Sequence, residues 1–120
     1  MSESAGSHDA PVVGVEERGE GVIVRLAGEL DLYNAHVVRE TLLDVAGSDP
    51  ERLIVDLSEV LFVDSTALGV LIEARSRLAN RRSFLLVGPR VETRRALEIS
   101  GLDRHFGVHA SLDEALAASV

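Results

Sequence analysis

The stretch "LFVDSTALGVLIEARSRL", Leu61 to Leu78, joins an apolar run to an apolar helical pattern through Asp64, Ser65 and Thr66. Leu68, Leu71, Ile72 and Leu78 recur at helical spacing and are predicted to line one face of a helix. Glu73 and Arg77 lie four residues apart on its wet side, where they can pair. Just upstream, "RLIVDLS" (Arg52 to Ser58) is a nearly continuous apolar strand, the pattern of a sheet covered on both faces. A polar joint between a buried strand and an apolar-faced helix is therefore the organising feature of the chain.

Working outward, "VVGVEE" (Val12 to Glu17) and "VIVRLAGEL" (Val22 to Leu30) read as two strands around the turn "RGEG" (Arg18 to Gly21). They are predicted to form an antiparallel hairpin. From Asn34 the period changes: Ala35, Val38, Leu42 and Val45 share a helical face, with Asp31 or Asn34 at the N-cap and "GSDP" (Gly47 to Pro50) as the stop. After the central joint, "RRS" ends the second helix and "FLLVG" (Phe84 to Gly88) is another buried strand. Thr93, Ala96 and Leu97 mark a third helix ending at Gly101, with Leu102 folding back on Leu97. "HFGVH" (His105 to His109) reads as a short edge strand. A capping box of Ser111 and Glu114 then opens a last helix. Short links between the β-α-β passes force parallel pairing with right-handed crossovers. The expected fold is one α/β domain over residues 11–120, a small mixed sheet with an antiparallel first strand and about four helices packed against it.

Composition narrows the function. The chain has 120 residues, enough for one domain, and 46% are apolar. Tyr33, Phe62, Phe84 and Phe106 are its only aromatics, so the core is aliphatic. A net charge of −8 argues against binding nucleic acid or an anionic membrane surface and suits a partner with a basic face. With no cysteine there is no disulfide, thiolate catalysis or Cys-ligated metal. Residues 1–10, "MSESAGSHDA", are read as a disordered tail rather than a signal peptide. No apolar run is long enough to span a bilayer, so a cytoplasmic protein is expected.

Asp64, Ser65 and Thr66 carry the candidate chemistry. Asp64 is a good N-cap, which places Ser65 at N1 and Thr66 at N2 of the helix. An N1 side chain points away from the core, beside unpaired backbone N–H groups and the positive end of the helix dipole, a setting that tolerates a phosphate. In an α/β sheet such a joint lies at the carboxyl ends of the strands, and "GELD" (Gly28 to Asp31) opens at the same edge, so that Asp31 and Asp64 can flank Ser65. Plain capping and a modification or docking site are both compatible with this pattern. A hydrolase built on Ser65 lacks the glycines of a nucleophile elbow, since Val63 and Ala67 hold those positions. Phosphate-binding glycine loops are absent, and His105 and His109 lie in no helical pattern that would make their spacing a metal site.

Three ordered segments resemble the STAS-domain anti-sigma factor antagonists of bacteria. They are "LAGELDLYNA" (Leu26 to Ala35), "LIVDLSEVLFVDSTALGVLI" (Leu53 to Ile72) and "ALEISGLDRHFGVHASLDEALAA" (Ala96 to Ala118). The resemblance covers nearly everything from Val22 to Ala118 and implies a non-enzymatic, cofactor-free switch. By it, Ser65 is the residue phosphorylated by an anti-sigma factor that is itself a serine kinase. Asp31 is the acidic residue beside the phosphoserine, and Asp64 the signature aspartate. Asp31, Asp64, Ser65, Thr66, Leu68 and Gly69 are then the expected partner-binding residues. The unphosphorylated form binds the anti-sigma factor and frees the sigma factor, and a metal-dependent PP2C-type phosphatase resets the phosphorylated form. The position before Leu68, often glycine in the family, is Ala67 here, which is expected to add a methyl near the docking surface. The alternative within the same family is a scaffold or ligand-binding module in a stress-signalling assembly.

Overall fold

The computed structural model describes residues 10–79 and 82–118. The tail expected over residues 1–10 thus lies, apart from Ala10, outside the described residues. In chain order the elements are β1 (Val12–Arg18), β2 (Gly21–Leu30), α1 (Ala35–Gly47), β3 (Arg52–Val63), α2 (Ser65–Arg77), β4 (Ser83–Val87), α3 (Val91–Ser100), a 3₁₀ turn (Leu102–Arg104), β5 (Gly107–His109) and α4 (Leu112–Ala117). The strands lie in the order β1-β2-β3-β4-β5. β1 is antiparallel to β2, and β2 to β5 run parallel to their neighbours. This is the mixed sheet expected, with a third β-α-β pass completed by β5.

Side-chain alternation sorts the interior into two clusters. On one face Val24, Leu53, Val55, Leu57 and Leu86 pack beneath α1, α2 and α3, which contribute Val38, Leu42, Leu71 and Leu97. Phe84 meets Phe106 there with ring centroids 5.3 Å apart, a tilted pair worth about 0.5–1.5 kcal/mol beyond its buried area. On the other face, among the described residues, Ile23, Ile54, Leu85 and Val87 are covered by Ala115, Leu112 and Leu116 of α4. That helix is six residues long, so it shields only part of the second face. Beyond it Arg25 and Asp56 approach each other at 3.8 Å, and Arg25 donates to Glu16 at 2.8 Å. β3 is therefore buried on both faces only over its first half.

Element boundaries follow local chemistry. Gly101 takes φ 77°, a left-handed value, and its N–H reaches the carbonyls of Glu98 and Leu97. Ser111 Oγ accepts from the Glu114 N–H at 3.2 Å. Glu114 returns its carboxylate to the N–H of Ala110 rather than to that of Ser111. Glu73 pairs with Arg77 at 3.4 Å as expected, and more closely with Arg39 of α1 through two bonds of 2.8 Å. The Arg39 guanidinium holds the Glu73 carboxyl below the usual carboxylate range. No helix among the described residues is long and apolar enough to cross a membrane.

Three expectations shift. β3 does not stop at Ser58 but runs to Val63. β4 pairs only with Arg52 to Asp56, so among the described residues the remainder of β3 has β2 as its one strand partner, through a ladder with two register shifts. α2 ends at Arg77, ahead of "RRS", of which Arg81 lies outside the described residues. Ile72, expected in the core, is 46% exposed. The inward stripe of α2 is Ala67, Val70, Leu71 and Ala74, which turns Ile72 about 100° away from the sheet.

Leu53→Ala, which removes a side chain with 0% exposure, is expected to cost about 2–5 kcal/mol. Ile72→Ala is expected to stay within about 0.5 kcal/mol. Urea denaturation of the two variants checks both, and a large loss at Ile72 would contradict the orientation of α2.

Candidate functional site

In this topology the carboxyl ends of β2 and β3 and the N-termini of α1 and α2 share one edge. Two strands converge there, with Leu30 in register with Val63. Gly28 lies at a register shift with φ +80°, and nothing lies within 4 Å of where its Cβ would be. The backbone conformation, not crowding, is what calls for glycine. After that bulge Glu29 is exposed and Leu30 is buried, which delivers the next residue, Asp31, to the rim.

Asp64 joins the two strand-to-helix connections. Its N–H donates to the Leu30 carbonyl at 3.0 Å. One carboxylate oxygen accepts from the Ala67 N–H at 2.9 Å and caps α2. The other accepts from the Leu32 N–H at 3.0 Å. A single carboxylate thus closes the helix and pins a loop 32 residues away in sequence. Asp31 shapes that loop from within: its Oδ1 accepts from the N–H groups of Tyr33 and Asn34 at 3.0 and 3.2 Å. Asn34 holds the N-cap position of α1 without a side-chain cap bond, but it shares the turn with Asp31: its Oδ1 accepts from the Asp31 N–H at 2.9 Å and its Nδ2 donates to the Glu29 carbonyl at 2.8 Å.

Ser65 is the first residue of α2 and is exposed. Its hydroxyl makes no hydrogen bond among the described residues. The helix has no acidic residue in its first turn, so Asp64 alone offsets the positive dipole end. Thr66 and Gly69 are exposed and Leu68 is half-buried. Ala67 is 3% exposed, so the methyl expected near the docking surface points into the core instead. Asp31 and Asp64 are brought to one junction, as expected, with Leu32 as the bridge; no hydrogen bond runs from Asp31 to Ser65. Among the described residues no histidine hydrogen-bonds Ser65, and no group of three or more His, Cys, Asp or Glu is placed to hold a metal.

The sequence reading missed the apolar part of this edge. Leu32, Tyr33, Leu61 and Phe62 are all exposed, Tyr33 at 84%. Tyr33 and Leu61 line a groove of about 730 Å³ together with Pro11, Gly28, Asp31 and His36. Two of the four aromatic residues are thus at the rim, while Phe84 and Phe106 are in the core. The only signal in the chain was that "LY" and "LF" sit beside the polar motifs. Strict alternation would have turned one of Leu61 and Phe62 inward, and the irregular ladder turns both out.

Gly69 is the other anomaly. It lies inside the 13-residue α2, with open space around its missing Cβ and no left-handed φ. A glycine there costs roughly 0.5–1 kcal/mol against alanine, and no neighbour among the described residues requires it.

Residues 13–115 match the STAS domain family. The anti-sigma-F factor antagonist RsfB of Mycobacterium tuberculosis is 30% identical over 108 residues, covering 90% of this chain and 88% of that protein. The anti-sigma-B factor antagonist of Listeria monocytogenes is 38% identical over 90 residues, covering 73% of this chain and 79% of that protein. The crystal structure of an anti-sigma factor antagonist from Mycobacterium paratuberculosis superposes with a TM-score of 0.82 at 30% identity, covering 88% of this chain and 89% of that one.

Asp64→Ala removes the α2 cap and the tether to Leu32 together, and is expected to cost about 1–2 kcal/mol. Hydrogen exchange should show the Leu32 and Ala67 amides losing protection together. Loss at Ala67 alone would mean that the loop is not held by this carboxylate.

Proposed function

The chain belongs to the STAS-domain family, and on that premise we propose that it is an anti-sigma factor antagonist switched by phosphorylation of Ser65. The observation that carries this reading is the hydroxyl of Ser65, exposed and unbonded at N1 of α2, directly after the capping Asp64. In this scheme the chain is a binding protein and carries out no catalysis of its own. Its partner is an anti-sigma factor with serine-kinase activity, and the setting is the cytoplasm, where sigma factors and ATP meet.

Docking is read onto the rim described above. Asp31, Asp64, Thr66, Leu68 and Gly69 surround the acceptor, with Leu32, Tyr33, Leu61 and Phe62 supplying apolar area. An acidic chain with these apolar residues at its rim suits a partner face that is apolar with basic flanks. Bound there, Ser65 Oγ attacks the γ-phosphorus of the kinase's ATP. The bond to the β,γ-bridging oxygen breaks, ADP leaves, and the serine proton passes to a base of the kinase. Hydrolysis of the phosphoester by a PP2C-type phosphatase restores the hydroxyl.

The electrostatics account for a two-state switch. A phosphoserine adds about −1.5 to −2 charge. In the free chain that charge faces water and the N-terminal dipole of α2. Against a partner the same group must shed water and approach the acids of a nucleotide site. A tenfold loss of affinity needs only about 1.4 kcal/mol. A second reading, a scaffold or ligand-binding module of the same family, is favoured by the groove between Tyr33 and Leu61.

Ser65→Asp is expected to weaken anti-sigma binding at least tenfold, and Ser65→Ala to bind but resist release by ATP. Phosphopeptide mapping after incubation with the anti-sigma kinase checks the acceptor, and label on Thr66 alone would overturn it. A pull-down with and without ATP separates the two readings, since association that survives phosphorylation favours the scaffold.

A further inference from the structure

Two separate faces of the molecule carry exposed apolar area beside unpaired charge, and the charges are of opposite sign. The first is the outer face of α3. Val91, Arg95 and Ile99 follow one another four residues apart, which sets them in one stripe with Arg94 beside it. Val91 is 67% exposed and Ile99 81%, so neither serves the core. Arg18, Arg25, Arg39, Arg77 and Arg82 each hold a carboxylate. Arg94 and Arg95 are exposed and form no ion pair among the described residues, in a chain with 20 acidic side chains to choose from. Nor do these cations serve their own helix. Arg90 holds the N-cap without a side-chain cap bond, and it stands one turn from Arg94, a like-charge spacing that destabilises a helix. The second face is a groove of about 520 Å³ between β1 and α1, lined by Val15, Glu40, Thr41, Asp44 and Val45. Val15 is 51% exposed, and Glu17 follows it on the same side of β1. Glu40 and Asp44 are again like charges one turn apart, and they form no ion pair among the described residues. Their neighbour Arg39 is taken by Glu73.

We propose that these two faces bind each other between copies of this chain. α3 of one copy lies along the β1–α1 groove of the next, with Arg94 and Arg95 on Glu40 and Asp44 and an apolar residue of the stripe against Val15. Each helix carries a like-charge pair at one-turn spacing, so one contact relieves both repulsions and satisfies four unpaired charges. All 12 basic side chains of the chain are arginine, whose planar fork matches a carboxylate. From Val91 to Ile99 the stripe is about 12 Å long at 1.5 Å per residue, two turns of helix. The strand order keeps the faces apart within one molecule: β1 is an edge of the sheet, and α3 leaves β4 near the other edge. Two different patches make a heterologous contact, which repeats head to tail rather than closing as a twofold dimer. A net charge of −8 repels copies at longer range and keeps the association weak and reversible. Neither face includes Ser65, so the inference stands or falls independently of the antagonist reading.

Sedimentation equilibrium of the full chain tests this. The average mass is expected to rise with concentration from 12.9 kDa to about twice that at about 1 mM chain, as open association with a dissociation constant of about 1 mM gives. The double variant Arg94→Glu, Arg95→Glu is expected to stay monomeric, and so is the double variant Glu40→Arg, Asp44→Arg. All four positions are exposed, so both variants should melt within a few degrees of the wild type. Mixed in equal amounts, the two variants are expected to recover the association. The new glutamates of one then meet the new arginines of the other, and the unaltered faces still match. Recovery on mixing is a pattern that no other contact between copies gives. A wild-type mass that stays at 12.9 kDa would mean that α3 serves a different acidic protein or none, and the inference fails. It fails equally if either variant alone associates like the wild type, or if the mixture stays monomeric.

Discussion

The carboxylate of Asp64 is the contact on which the working edge of the molecule depends. A helix N-terminus leaves several N–H groups without partners, and a serine or threonine cap meets that need with one oxygen. An aspartate has two. Here one closes α2 at Ala67 and the other holds Leu32, on a loop that belongs to a different helix. The residue after Asp64 is therefore presented from a junction braced on both sides, with its backbone fixed and its hydroxyl in water. Asp31 and Asn34 together give the facing loop its turn, while Asp64 supplies both cap and brace.

What surrounds that junction follows from the limits of the sheet. β4 is short, five residues against twelve in β3, and the second half of β3 reaches past it. Paired on one side only, and through an irregular ladder, this half buries Val60 and Val63 while exposing Leu61 and Phe62. An aliphatic core that needs only two aromatic rings leaves Tyr33 and Phe62 at the rim, where aromatic area suits recognition. The rim is apolar at its centre, with Asp31 and Asp64 at its margin.

The contrast between α1 and α2 shows how a helix carries two duties. α1 buries Ala35, Val38, Leu42 and Val45 as a conventional amphipathic stripe. α2 buries two small residues, Ala67 and Ala74, beside Val70 and Leu71, and keeps Ile72 outside. The bidentate contact from Arg39 to Glu73 then links the two helices at the surface.

Much of this was legible in one dimension because it depends on near neighbours. Helical spacing, the turn at Gly19 and Gly21, the left-handed stop at Gly101, the cap at Asp64 and the parallel order forced by short crossovers are all encoded within a few residues of where they act. The exposed position of Ser65 belongs with them, since N1 of a helix faces outward whatever the fold. Periodicity could not tell which of two adjacent apolar residues on α2 faces the sheet. Leu71 and Ile72 are equally hydrophobic, and only the packed structure buries one and leaves the other exposed. The second bond of Asp64 and the open space at Gly69 were likewise undecided until distant segments met, because both depend on what lies across the molecule rather than along the chain.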